Sequence, residues 1–372
     1  MRLSECMCVF ALCGWCVYIL SYFITSTNVD IVRSLEKKSK SKALAAQLHD
    51  PPKLGSHQHP TSLGFVVMGD FGTGTKLQAQ VAASLGDFVE VTQPRASFVL
   101  STGDQIYDHG LISADDPILI SKFEKIYKHP ALQLPWYISI GNHDCEGSID
   151  AMLGYAKRTK TLWRFPQRYY HMDHRIDNST IVRFVVLDAC DLVCGQEAPE
   201  FKDFRCTPNM DAQTSIASRR RQYEWMENVL SMPPPKALGR DDDDVSRMWT
   251  VVVGHWGVYS FAGNGDTPEL ISNLVPLLEK YKVHAYFNGH DHAMQHVRKG
   301  NIQYFTSGAG GYVLHDLKPQ ARARPELVHV DMTNGFMWVQ VSHDTFRVQF
   351  VDGATTEILY TTDVPFSHPQ SL

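Results

Sequence analysis

Two side chains that could bind a metal ion lie three residues apart after a predicted strand. Asp104 and Tyr107 follow the apolar run Ala96–Leu100. The carboxylate could bridge two cations, whereas the phenol, with a pKa of about 10, would ionise only beside a strongly acidic cation. Ferric iron is such a cation, and zinc and magnesium are weaker candidates. Because the pair alone also fits a turn cap and a packed ring, its interpretation depends on other residues.

The same local pattern occurs five times: an apolar run ends in glycine, and a polar side chain follows at once. The polar residues are Asp70, Asp104, Asn142, His255 and His290, with His292 two positions after the last. Predicted helices separate several runs, which favours a largely parallel or mixed sheet whose strands end on one side. Ligands commonly bind at such strand ends. Each residue alone could be a cap or a packed side chain, but together they predict one site.

The chemistry of this set points to a pair of metal ions. Carboxylate, amide, imidazole and phenol groups suit iron, manganese or zinc. Two cations about 3.5–4 Å apart could share Asp104 and activate a water for in-line attack on phosphate. The residues therefore predict a binuclear phosphate hydrolase.

Length and composition indicate a soluble globular chain with a proper core. It has 372 residues, a formal net charge of −5 and 17 histidines. This charge gives no basic field for nucleic acid, so no such partner is expected. No cysteine pair after residue 62 has the C-x-x-C spacing of a zinc finger.

The N-terminal sequence predicts a targeting signal. Residues 6–24 are nearly all apolar, over a length that fits both a long signal-peptide core and a short membrane helix. We therefore predict a signal peptide or signal anchor at 1–27, a basic and polar linker at 28–61, and one catalytic domain at 62–372. If residues 6–24 are retained, they would anchor the protein in a membrane.

Two features disagree about the compartment. The basic linker after a retained anchor would favour a cytosolic body. Asn178–Thr180 is instead an acceptor sequence for N-glycosylation, which is useful only in the secretory lumen. We favour the lumen and expect a glycoprotein that is secreted or resides in a lysosome- or vacuole-like compartment.

Periodicity predicts the elements that carry the site. Strands are expected at 64–68, 96–100, 136–140, 181–187, 249–253, 284–287 and 303–306, with a closing hairpin at 337–341 and 346–351. Helices are expected at 76–91, 222–230 and 268–281. Residues 194–218 show little apolar periodicity and are predicted to form a long surface loop.

Five motifs resemble those of the calcineurin-like metallophosphoesterases. They are Gly69–Gly72, Gly103–Tyr107, Gly141–Asp144, Gly254–His255 and Gly289–His292. Tyr107, and the lack of a histidine two positions after Asp70, resemble the purple acid phosphatases, in particular the small tartrate-resistant type of animals. The segments 163–170 and 307–310 agree with this resemblance, which extends over residues 62–365.

The resemblance implies a fold, an activity and a role for each site residue. The fold would be of the α/β class, with two mixed β-sheets flanked by helices in four layers. The activity would be hydrolysis of phosphate monoesters, small or on phosphoproteins, at acidic pH by a metal-activated hydroxide. The ferric ligands would be Asp70, Asp104, Tyr107 and His292. A divalent ion, Fe²⁺, Zn²⁺ or Mn²⁺, would bind Asp104, Asn142, His255 and His290. His143 would bind phosphate and assist the leaving group.

Two positions depart from the pattern of the resembled family near the site. Asn264 stands where animal members usually have a second histidine, so protonation of the leaving group would fall to His143 or water. Phe71 replaces the usual tryptophan, which we expect to alter packing only mildly.

The cysteines depart from the family pattern as well. Cys194 matches one half of the family's disulfide, but Thr267 and Pro268 lie where the other half is expected. A bond from Cys206 to either Cys190 or Cys194 remains open, as do free thiols.

Two other functions remain open alongside the acid phosphatase, for which we expect a monomer. One is a metallophosphoesterase specific for diesters or nucleotides, which a panel of esters would separate. The other is an iron-binding redox protein with incidental phosphatase activity, which would need a redox partner that a hydrolase does not.

Overall fold

Two β-sheets form the described part of the chain, which in this computed structural model comprises residues 62–195, 206–235 and 245–366. The first sheet, in spatial order, consists of β14 (Ile358–Pro365), β13 (Thr345–Asp352), β12 (Gly335–Ser342), β1 (Ser62–Met68), β2 (Ala96–Ser101), β3 (Trp136–Tyr137) and β4 (Trp163–Arg164). Strands β1 to β4 run parallel, and β12 to β14 are antiparallel. The sheet is therefore mixed.

The second sheet is also mixed and has seven strands. In spatial order it consists of β11 (Leu327–Asp331), β9 (Met294–Lys299), β10 (Ile302–Ser307), β8 (Ala285–Asn288), β7 (Arg247–Val253), β6 (Thr180–Val186) and β5 (Tyr170–Arg175). Strands β6, β7, β8 and β10 run parallel to one another, so the chain leaves β7 and β8 on the same side.

Aromatic side chains join the two sheets. The rings of Phe65 on β1 and Phe98 on β2 stack with centroids 5.0 Å apart. Both meet Phe184 of β6 edge-on, at 5.2 and 5.5 Å. All three side chains are buried, and each such contact adds about 0.5–1.5 kcal/mol to the gain from burial. This packing holds the strand ends of one sheet in a fixed position relative to those of the other.

Helices cover the outer faces. The α-helices of the described residues are α1 (Lys76–Val91), α2 (Asn142–Glu146), α3 (Ile149–Ala156), α4 (Ala189–Cys194), α5 (Pro208–Gln213), α6 (Ile216–Ser231), α7 (Pro268–Asn273) and α8 (Val275–Lys280). On the first sheet, Phe88 of α1 packs edge-on against Phe336 and Trp338 of β12, at 5.4 and 6.1 Å. On the second, Arg183 of β6 donates a hydrogen bond to the carbonyl of Val229 in α6. The predicted fold class is confirmed.

The expected elements are mostly present. Helix α1 has the predicted bounds, and Thr75 caps it by accepting a hydrogen bond from the amide of Gln78. The helix predicted at 268–281 is instead two helices, because Pro276 cannot donate the hydrogen bond that a continuous helix would need.

The surface loop predicted at 194–218 is wrong in part. Helix α5 and the first turn of α6 lie within it. The hydroxyl groups of Thr207 and Ser215 accept hydrogen bonds from the backbone amides three residues further on, so side-chain caps start these helices although the apolar periodicity is weak. The part of the loop at 196–205 lies outside the described residues.

The N-terminal predictions concern residues that the structure does not describe. The signal segment at 1–27, its apolar stretch at 6–24 and the linker at 28–61 all precede the first described residue. Within the described ranges, no helix is both long and apolar enough to cross a membrane. The domain boundary at residue 62 remains a prediction.

Two buried histidines make the stability depend on pH. Burial lowers the pKa of His284 to about 4 and that of His296 to about 4, from an ordinary value of about 6.5. Below about pH 6.5 these two histidines bind protons in the unfolded chain, whereas in the folded protein they stay neutral until the pH falls to about 4. Both groups therefore contribute stability that is present above about pH 6.5 and is lost as the pH falls to about 4.

We expect the free energy of unfolding to fall by on the order of 2–3 kcal/mol per histidine over this range. His296→Gln should flatten the dependence, since glutamine does not titrate and can still bond to Tyr360, which His296 contacts at 2.9 Å. Urea denaturation at several pH values measures this, with the exposed His171→Gln as the control. A His296→Gln curve as steep as that of the parent would contradict the assignment.

Candidate metal centre

The predicted site residues meet where both sheets end. Asp70 and Asp104 follow β1 and β2 of the first sheet, whereas His255 and His290 follow β7 and β8 of the second. Asn142 is the first residue of α2. The sequence pattern alone predicted a site at the edge of a single sheet, and this prediction is wrong. The candidate ligand residues come from two sheets, as the two-sheet fold implied by the resemblance allows.

The backbone is strained at three of these residues. Asp70, Asp104 and His290 have φ angles of 57°, 56° and 69°, in the left-handed region that residues other than glycine rarely adopt. Each such residue costs on the order of 1–3 kcal/mol unless its surroundings fix it. Position 141, one of the motif glycines, requires glycine because a Cβ there would collide with the carboxylate of Asp104.

One half of the site consists of His255, Asn142 and His290. His255 donates from Nδ1 to the carbonyl of Thr102 at 2.8 Å, so its Nε2 is the acceptor. This Nε2 lies 2.9 Å from Oδ1 of Asn142 and 3.4 Å from Oδ2 of Asp104. Nδ1 of His290 lies 2.8 Å from the same amide oxygen and 3.3 Å from Nε2 of His255. Oδ1 of Asn142 and Nε2 of a neutral His255 are acceptors, and Nδ1 of His290 is a third when the ring proton is on Nε2. A cation between the three atoms would satisfy them together.

The other half consists of Asp70, Tyr107 and His292. His292 donates from Nδ1 to the carbonyl of Val313 at 2.7 Å, which again leaves Nε2 facing inward. This Nε2 lies 3.2 Å from the hydroxyl of Tyr107 and 3.5 Å from Oδ1 of Asp70. The hydroxyl and the same carboxylate oxygen are 3.3 Å apart. Ligand atoms of Asp70, Asp104 and His255 lie within 4.8 Å of one another, which joins the two halves.

The pKa values reflect a strongly negative site. Burial alone would lower the pKa of His255, but the charges of Asp104 and Asp70 outweigh it and raise this pKa to about 9. Burial alone would raise the pKa of Asp104, but the charges of His255 and His143, together with the hydrogen bonds from these two residues, outweigh it and lower the value to about 2. A metal cation would bind favourably in the negative electrostatic potential of these carboxylates.

Tyr107 is held in its neutral form by its surroundings. Burial, followed by the charges of Asp104 and Asp70, raises its pKa well above the ordinary value. A phenolate could form here only beside a strongly acidic cation. The electrostatics therefore agree with the chemical argument that the sequence provided.

His143 lies beside the cluster without belonging to it. Its amide donates to Oδ1 of Asp104 at 2.9 Å, and its ring packs on Tyr107 with centroids 4.3 Å apart. Its Nδ1 contacts the carbonyl of Asp108. Nε2 is therefore the nitrogen that could reach a substrate.

Asp144 has a role that the sequence did not reveal. Its Oδ2 accepts hydrogen bonds from the amides of Asp104 and Gly141, both at 2.9 Å, and its Oδ1 accepts one from Gln105 at 3.0 Å. Burial, followed by the charge of Asp104, raises its pKa to about 7. The side chain locks the turn after β2 to the start of α2. The motif contained Asp144, but two of these partners, Asp104 and Gln105, lie some forty positions away.

The two departures from the family pattern have structural roles. Asn264 donates from its side chain to the carbonyl of His290 at 2.7 Å, and from its backbone to Asp291 at 2.7 Å. It supports the turn that carries His290. Phe71 is fully buried and meets Tyr127 and Trp136 edge-on, at 5.5 and 5.7 Å, so it fills the core as expected.

Two disulfides cross-link the region. They join Cys145 to Cys190 and Cys194 to Cys206. The Cys194–Cys206 alternative is confirmed, whereas a Cys190–Cys206 bond and free thiols are wrong. The partner of Cys145 was not foreseen. The Cys145–Cys190 bond connects α2, which begins with Asn142, to α4, which follows β6 of the second sheet.

Removing the Cys145–Cys190 bond should lower the free energy of unfolding by about 4 kcal/mol, because it closes a loop of 45 residues. We expect the Cys145→Ser/Cys190→Ser protein to unfold at correspondingly lower urea concentration. The matched control is Cys194→Ser/Cys206→Ser, which opens a loop of 12 residues and should cost about 3 kcal/mol. A larger loss in the control would contradict this ranking.

With this geometry established, comparison with known proteins decides the family. The sequence model of the calcineurin-like phosphoesterases matches residues 63–294. The chain belongs to this family. It is 33% identical to purple acid phosphatase 4 of Arabidopsis thaliana, over 90% of this chain and 91% of that protein. It is 30% identical to tartrate-resistant acid phosphatase type 5 of Rattus norvegicus, over 82% of this chain and 91% of that protein.

A solved structure agrees on the fold. GAP50, the anchor in the inner membrane complex of Plasmodium, is similar with a TM-score of 0.66 and 20% identity, over 83% of this chain and 90% of that chain. This likeness shows the fold alone. The sequence relatives show the activity: the calcineurin-like phosphoesterase described here is a phosphoric monoester hydrolase of the purple acid phosphatase type, with a binuclear metal centre. Its disulfides are consistent with the secretory pathway.

Proposed function

We propose that this acid phosphatase holds a ferric and a divalent ion in separate halves of the cluster. The ferric ligands are Asp70, Asp104, Tyr107 and His292. The divalent ion, iron, zinc or manganese, binds Asp104, Asn142, His255 and His290. The observation that carries the assignment is the convergence of Nε2 of His292, the hydroxyl of Tyr107 and Oδ1 of Asp70 within 3.5 Å of one another.

The donor set fits such ions. Two carboxylates and a phenol are hard oxygen ligands, which suit ferric iron, whereas an amide and two imidazoles beside Asp104 suit a borderline divalent ion. His255 and His292 each donate from Nδ1 to a main-chain carbonyl. Such contacts fix the tautomer and aim the other nitrogen at a metal.

The chain's own residues position the reaction. When bound, a binuclear centre acidifies water and neutralises the phosphoryl oxygens. Asp144 holds the backbone of Asp104 and Gly141 in place, so that the shared carboxylate and α2 keep their relative position. His143 binds the phosphate group from outside the cluster and gives a proton to the leaving oxygen from Nε2.

We also propose a cellular setting, from the apolar N-terminal segment and the glycosylation acceptor at Asn178. The protein is a monomeric glycoprotein of the secretory lumen that acts on small phosphate monoesters or on phosphoproteins. Asn178 is exposed between β5 and β6, where a glycan could be attached. An anchor at residues 6–24 would tether it to a membrane.

Metal analysis with a visible spectrum tests the centre. We expect the purified full chain to contain one iron and one divalent ion, and to show a phenolate-to-iron charge-transfer band. Tyr107→Phe should abolish the band, whereas Tyr312→Phe, which keeps a ring beside Tyr107, should retain it. A band that survives Tyr107→Phe would contradict the assignment.

A panel of esters tests the activity. We expect turnover of phosphate monoesters to exceed that of diesters and nucleotides, and to persist in the oxidised protein without a redox partner. Higher turnover of a diester would contradict the monoester assignment.

A further inference from the structure

One short segment after β10, residues 312–315, surrounds the inward-facing ligand His292. The carbonyl of Val313 accepts the hydrogen bond from Nδ1 of His292 at 2.7 Å. The rings of Tyr312 and His315 contact the same imidazole, with centroids 4.8 and 4.1 Å away. The hydrogen bond selects which nitrogen faces the site, and the two ring contacts restrict rotation of the imidazole.

The segment also contacts the tyrosine ligand. The ring of Tyr312 lies on that of Tyr107 with centroids 4.5 Å apart and planes at 33°. The ring of Tyr107 also packs on the ring of His143, with centroids 4.3 Å apart. Tyr312 therefore touches both Tyr107 and His292, the ligands that come from different sheets.

His315 is itself fixed by polar contacts and by stacking. Its ring is nearly parallel to that of His292, with an angle of 20° between the planes. Its Nδ1 lies 3.2 Å from Oδ1 of Asp291 and 3.2 Å from the amide nitrogen of His292. Asp291 is buried and also accepts the amide hydrogen of Asn264. The imidazole of His315 thus stands between a buried carboxylate and the backbone of the ligand that it covers.

We infer that Tyr312 and His315 are positioning residues that hold Tyr107 and His292 in the orientation that binds iron. The inference rests on the proposed iron centre and deepens it. Tyr312 sets the plane of the phenol, and His315 sets the plane of the imidazole. Neither side chain is a ligand, so their removal should leave the ligands present but less well oriented.

The test measures iron release from the loaded full chain into excess chelator, followed by loss of the charge-transfer band. Substitution of a residue that orients a metal ligand typically lowers metal affinity 10–100-fold. We expect His315→Ala to release iron about tenfold faster than the parent, and His315→Phe, which keeps the stacked ring, to stay within about threefold of it. Tyr312→Leu should release iron faster and shift the band, because it loosens the phenolate ring.

Two controls separate positioning from general packing. Asp316→Asn alters an exposed side chain immediately after the same segment. His329→Ala removes a ring stacked on Tyr360 at the same centroid distance of 4.1 Å, in the second sheet. Both should release iron at the parental rate. The melting temperatures of metal-free His315→Ala and Tyr312→Leu should fall no further than that of His329→Ala.

The possible results point to different conclusions. Parental release rates in His315→Ala and Tyr312→Leu, or melting temperatures well below that of His329→Ala, would overturn the inference. Release from His315→Phe as fast as from His315→Ala would overturn the role of stacking. A parent protein without any band would instead contradict the proposed iron centre, which is a separate failure.

Discussion

Asp104→Asn is expected to lower kcat/KM for an aryl phosphate by at least about 10³-fold and to prevent binding of the full metal complement. Asp104 contacts the half of the site that contains His255, at 3.4 Å, and shares a cluster of ligand atoms with Asp70 in the other half. Asparagine keeps the shape and can still accept the amide hydrogen of His143. It removes the negative charge that two cations would share, so the loss is electrostatic rather than steric.

The measurement combines metal content, steady-state kinetics and thermal unfolding on the same preparation. Asp115→Asn is the matched control, since its side chain is 90% exposed; it should leave all three quantities unchanged. If Asp104→Asn bound both ions and turned over substrate at the parental rate, the shared-carboxylate centre would have to be abandoned. Loss of activity with full metal content would limit the role of Asp104 to catalysis.

Local chemistry accounts for the elements that the sequence predicted well. The stripe of apolar residues along α1 and its Thr75 cap specify a helix without reference to the rest of the chain. The strands β1 and β7 are buried along most of their length, so their sequences read as continuous apolar runs. In contrast, β3 has only two residues where a strand was expected over 136–140, and β4, also of two residues, is too short for any periodicity to register.

The residues of the candidate site could be predicted from the sequence for a different reason. Five of the seven candidate ligands stand directly after a glycine that ends an apolar run, and Tyr107 and His292 lie two or three residues further on. The local pattern therefore marks them wherever the strand lies in the fold. The residues that orient the ligands carry no such mark. Asp144 bonds to amides about forty positions away, and the segment of His315 meets Tyr107 from the far end of the chain. Only the assembled sheets bring these groups together.

His143→Asn tests the assignment of the proton donor. Nδ1 of His143 is engaged by the carbonyl of Asp108, so Nε2 is available, and Asn264 nearby in the site is occupied with the carbonyl of His290. General acid catalysis contributes about 10²–10⁴-fold. We expect His143→Asn to lower kcat by about 10²-fold or more for an alkyl phosphate. The loss should be far smaller for p-nitrophenyl phosphate, whose leaving group departs without a proton.

The contrast between the two esters is the decisive quantity, because a misfolded or metal-depleted variant would lose both activities equally. Metal content should therefore remain at the parental level, since His143 contributes no ligand. His109→Asn is the matched control: it changes an imidazole that is 81% exposed in the loop after Tyr107 and should leave both rates unchanged. An equal loss on both esters at full metal content would assign His143 to phosphate binding alone. In that case water would protonate the leaving group.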